Sequence, residues 1–81
     1  MTTNEKEVFF TSDLALIVTL SLYFPIESTE LIGNKKISFV FQKSPELDRI
    51  VDLYWRGDIR IEPQQFFNQL KVIKTRIYSH I

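Results

Sequence analysis

The chain has 81 residues, ten Lys and Arg against ten Asp and Glu, 44% hydrophobic and 14% aromatic residues, and no cysteine. That length holds one small α+β domain with no room for a second core, and the apolar content excludes a disordered chain. The missing cysteines exclude disulfides and thiolate metal sites, and zero net charge argues against a protein that coats DNA.

Residues 1–6 are polar and expected to fray. Val8, Phe9 and Phe10 form a short β-prone run. Thr11 or Ser12 then offers a helix N-cap, with Asp13 in the first turn, where the helix dipole favours an acid. The helix should run from about Ser12 to Tyr23, ended by Pro25. Leu14 to Leu22 is apolar around most of its circumference, as in a central helix. The mostly apolar stretch from Leu14 to Phe24 is too short to span a membrane, and the residues before it lack the basic leader of a signal peptide, so a cytoplasmic protein is expected.

Ile26 to about Leu31 reads as a strand, and Gly33-Asn34 as a two-residue hairpin turn. Lys36 to Gln42 alternates strictly, with Ile37, Phe39 and Phe41 on one face and Ser38 and Val40 on the other. Ser44-Pro45-Glu46 is a strong helix start, Leu47, Ile50, Val51 and Tyr54 follow at helical spacing, and Gly57 is the expected stop. Asp52 and Arg56 sit four apart, as an ion pair. Pro63 opens the last helix, with Glu62 as a weak cap. Its apolar stripe is Phe66, Leu70, Ile73 and Ile77; beside it run Phe67, Lys71, Lys74 and Tyr78. The order β-α-β-β-α-α predicts a two-layer α+β fold, a three-stranded sheet packed by helices, with a right-handed crossover between the first two strands.

Chemistry is hard to place on this chain. His80 is the only histidine and lies at the end of the last helix, where a cation complements the dipole. Asp48 and Asp52 share a helix face, but Arg49 and Arg56 lie beside them, as on a solvated surface. Both glycines have turn or cap roles, so no phosphate loop is present. No catalytic residue, metal ligand or cofactor is expected, and an enzyme is not.

Partner binding is the better prospect. Residues 1–34 carry one Lys and five acids, whereas residues 35–81 carry nine basic residues and five acids. From Pro63 onward there are three basic residues and no acid. Lys71, Lys74 and Arg76, with Phe67 and Tyr78 among them, suit phosphates and bases, or a solvated helix end. Trp55, with Arg56 and Arg60 close by, is of the type that dominates binding hot spots, although capping the core is its more ordinary role. Open sheet edges are a third prospect, with Lys35 and Lys36 discouraging pairing on one strand.

Thr11-Ser12-Asp13-Leu14-Ala15-Leu16, Phe39-Val40-Phe41, Ser44-Pro45-Glu46-Leu47, Tyr54-Trp55-Arg56-Gly57, Pro63, Phe66 and Lys71 through Tyr78 together resemble a small domain-of-unknown-function family of bacteria, archaea and their mobile elements. The resemblance covers about Phe10 to Tyr78 and departs from the family pattern at Pro25 and Glu62. It implies a short stand-alone protein, encoded by a phage or mobile element, and carries over no catalytic residue. The expected function is a non-enzymatic interaction protein acting on a protein partner or on itself as a homodimer. The alternative is a nucleic-acid-binding accessory protein using the basic last helix.

Overall fold

The computed structural model describes residues 7–34 and 36–80. The expected fraying of residues 1–6 and the role given to Lys35 lie outside them. The elements are β1 (Val8–Thr11), α1 (Leu14–Ser21), β2 (Ser28–Ile32), β3 (Lys36–Gln42), α2 (Pro45–Arg56) and α3 (Pro63–Tyr78). The predicted order and the α+β class hold.

The sheet order is β1-β3-β2, with both outer strands antiparallel to β3. The longest strand thus takes the centre, where both of its edges are paired. Ser38 and Val40 are buried as well as Ile37, Phe39 and Phe41; Glu30 is paired with Ser38, and Phe10 and Ser28 with Val40, so side chains of the neighbouring strands flank these short ones on the outer face. The central place of β3 corrects one expectation. Lys36 cannot guard an open edge, since the edges belong to β1 and β2. The β2–β3 turn also differs from expectation. Ile32 pairs with Lys36, so three residues intervene rather than two. Gly33 still supplies the left-handed conformation, at φ 65°.

α1 lies at the centre of the helical layer. Leu16, Ile17, Val18 and Leu20 are buried with Ile37, Phe39 and Phe41 of the sheet, Leu47 of α2 and Ile73 of α3. Thr19 is buried too, and its hydroxyl donates to the Ala15 carbonyl at 2.8 Å, so that hydroxyl is not left orphaned. Asp13 is the N-cap, not a first-turn residue: its backbone is extended and its carboxylate accepts from the Leu16 N–H at 3.0 Å. Its own N–H donates to the Thr11 hydroxyl, and the Tyr54 hydroxyl reaches it from α2 at 3.0 Å. One aspartate therefore fastens the β1–α1 corner to α2.

The other helix ends follow local chemistry. Ser44 caps α2 by accepting from the Leu47 N–H. At the far end Gly57 is left-handed, with Gly57 N–H bonded to the Tyr54 carbonyl and Asp58 N–H to that of Leu53, a Schellman closure. Glu62 caps α3 with both carboxylate oxygens, on the Gln64 and Gln65 N–H groups. α3 is tied down along its length: Gln69 donates to the Ser21 hydroxyl at 2.9 Å, and His80 Nε2 meets the Thr29 hydroxyl of β2 at 2.8 Å.

Candidate functional site

α3 buries Ile73 and packs Phe66, Leu70 and Ile77 against the core, as its apolar stripe predicts. The adjacent stripe is left in solvent. Phe67 is 55% exposed and Tyr78 67%, with Lys71 and Lys74 exposed between them. The Lys71 ammonium lies 4.9 Å from the centroid of the Phe67 ring, a cation–π contact one helical turn long. At about 100° per residue these four side chains span roughly 60° of the helix surface. They form one strip along about three turns.

Arg76 does not belong to that strip. By the same periodicity it lies about 160° around the helix from Lys74, on the flank of Val72. Charge groups it with the lysines; the helix separates them. Among the described residues no ion pair involves Lys71, Lys74 or Arg76.

Trp55 is 63% exposed and lies outside the core cluster, which corrects its expected capping role. Tyr54 takes the inward position on α2, and the two rings meet edge to face at 5.0 Å. The neighbouring arginines are occupied. Arg56 pairs with Asp52 at 3.2 Å, as predicted. Arg60 folds back to donate to the Gly57 and Ile59 carbonyls. Trp55 and Arg60 sit at the α2–α3 corner, whereas Arg76 lies about 20 Å along α3 from its start at 1.5 Å per residue. The tentative partner residues thus divide into three groups: the strip with Lys71, Lys74 and Tyr78, the corner with Trp55, Arg56 and Arg60, and Arg76 alone.

A cleft at the start of α2 has no counterpart in the sequence reading. It encloses about 470 Å³ and is lined by Phe24, Pro25, Glu27, Gln42, Lys43 and Ser44. The Glu27 N–H donates to the Val40 carbonyl and the Lys43 N–H to that of Glu7, so two of its walls are fixed by backbone bonds. The Lys43 ammonium is held by Asp48 at 2.6 Å. No local pattern joins residues 24–27 to 42–44, so only the folded chain reveals the cleft.

Among the described residues, one titration stands out, and it is structural. Burial chiefly, then the hydrogen bond to Asp13 and the charge of that carboxylate, raise the Tyr54 phenol above its ordinary value. Among the described residues no three His, Asp or Glu side chains group to hold a metal ion, and no helix is long and apolar enough to cross a membrane.

A family model described as a domain of unknown function, DUF5659, matches residues 6–79. Neither the curated proteins nor the solved structures contain a match.

Proposed function

The chain belongs to the DUF5659 family, and we propose that it is a non-enzymatic interaction protein that docks an acidic protein partner on the Phe67–Lys71–Lys74–Tyr78 strip of α3. The observation that carries this reading is the strip itself. Two large rings stay in solvent on a helix that already has its core stripe, and no acid lies between Pro63 and Ile81 to neutralise the lysines. Burying the remaining surface of either ring is worth about 2 kcal/mol. Two ring anchors flanked by cations fit an apolar segment carrying Asp or Glu. Self-association through the strip is disfavoured, because a two-fold axis sets Lys71 and Lys74 against their own copies. Encoding by a phage or mobile element, with the partner a host protein, rests on the family resemblance alone and is part of the proposal.

Quantitative affinity enrichment from a host extract tests it, comparing the wild-type chain with Lys71→Ala/Lys74→Ala. A discrete protein retained by the wild type, lost by the variant and indifferent to nuclease supports docking through the strip. Equal retention by both chains refutes it.

Nucleic-acid binding is the second reading, favoured by the same alternation of rings and lysines. With two phosphate contacts the affinity should fall with salt at a log–log slope of no more than about −2. Fluorescence anisotropy with single- and double-stranded DNA and RNA, at low and moderate salt, measures it directly. No binding at low salt removes this reading.

A further inference from the structure

We infer that the cleft between the α1 exit and the α2 start is a binding site for an organic cation with an apolar stem, such as a lysine or arginine side chain or a free alkylamine. The site lies outside the α3 strip and can stand or fall without it.

Its volume, about 470 Å³, is within the range of small-molecule sites. The sign of the ligand follows from which polar groups are already engaged. An anion would look to Lys43 and the α2 N-terminus, where the Lys43 ammonium and the Leu47 and Asp48 N–H groups are already engaged. The Lys43 ammonium is bonded to Asp48, the Ser44 hydroxyl accepts from the Leu47 N–H, and Pro45 contributes no N–H at all. Glu46 and Asp48 in the first turn further offset the positive end of the dipole. Glu27 is different. Among the described residues its carboxylate joins no ion pair and accepts no hydrogen bond, although its backbone is pinned to Val40. Among the described residues no cation is paired with that carboxylate. Phe24 and Pro25 supply the apolar wall beside it, and the Phe24 ring, which packs against the core, is held in place. A carboxylate on a pinned backbone, beside an aromatic residue and a proline, suits an ammonium or guanidinium on a hydrocarbon stem.

Amide chemical shifts of the whole chain, titrated with n-butylammonium, n-butylguanidinium, spermidine, a lysine-containing peptide, n-butanol and acetate, test the inference. Saturable shifts confined to the residues around Phe24, Glu27, Gln42, Lys43 and Ser44 are expected for the cations. Weaker shifts are expected for butanol, and none there for acetate. Tighter binding of the peptide than of the free amines assigns the site to a protein side chain, and the reverse assigns it to a free amine. Glu27→Gln, an exposed change that leaves the fold intact, should weaken cation binding about three- to fivefold, the upper end for an exposed ion pair. The inference is overturned by the absence of saturable cation shifts, by butanol binding as well as butylammonium, or by cation affinity unchanged in Glu27→Gln.

Discussion

Removing one oxygen, by Tyr54→Phe, probes the joint between α1 and α2. The lost bond runs from the Tyr54 hydroxyl to the Asp13 carboxylate at 3.0 Å. A hydrogen bond to a charged acceptor contributes about 1.5–3 kcal/mol, but Asp13 is only half-buried and water replaces part of it. Asp13 also keeps its cap on Leu16. The expected cost is about 1–1.5 kcal/mol, or a fall in Tm of about 5–10 °C for a domain of this size. The cost should depend on pH in one direction. A phenol whose folded pKa is raised stabilises fully below its unfolded value, about 10, and that contribution is lost as pH rises through the folded value. Since the Tyr54 phenol is raised, wild type and Tyr54→Phe should differ by a constant amount from about pH 7 to 9 and converge above about pH 10. Urea unfolding followed by far-UV circular dichroism across that range measures both quantities. A difference below about 0.3 kcal/mol at pH 7, or one that persists undiminished at pH 11, would refute the reasoning.

Four further substitutions examine two helix ends and one exposed ion pair. Glu62→Ala removes both capping bonds of α3 and should cost about 0.5–2 kcal/mol in urea unfolding, whereas Glu62→Asp should keep most of that. Gly57→Ala meets no atom within 4 Å, so its cost, about 1–2 kcal/mol by thermal unfolding, is backbone strain at φ 76° alone. Asp52→Ala breaks only an exposed pair and should change stability by less than about 0.5 kcal/mol.

The features legible in the sequence are those encoded within a few residues. Ser44-Pro45, Gly57 and Glu62-Pro63 carry their helix boundaries in their own backbone chemistry, and the Phe66-Leu70-Ile73-Ile77 spacing states which side of α3 is buried. Long-range features were not legible. Nothing near Asp13 announces Tyr54, 41 positions away; its cap role, by contrast, is local, and reads ambiguously only because Thr11, Ser12 and Asp13 are three cap-competent residues in a row. Strand order is another such case. The alternation in β3 sorts its side chains between two faces, but it does not say that β1 and β2 flank the strand and set Phe10, Ser28 and Glu30 beside Val40 and Ser38. Arg76 is instructive in the other direction, because helical periodicity already separates it from Lys74 and only shared charge suggests a common surface. Trp55 reads as a core cap because it is large and apolar, yet Tyr54 beside it fills the inward position and leaves the indole outside.

Photo-crosslinking from two positions of α3 tests the proposed docking strip most directly. Phe67 and Val72 are equally exposed, at 55% and 56%, but lie about 140° apart around the helix. A benzophenone amino acid replaces one or the other in the chain expressed in its host. The account predicts a discrete protein adduct from position 67, abolished by Lys71→Ala/Lys74→Ala, and little from position 72. Equal adducts from both positions, or adducts from 72 alone, would contradict it.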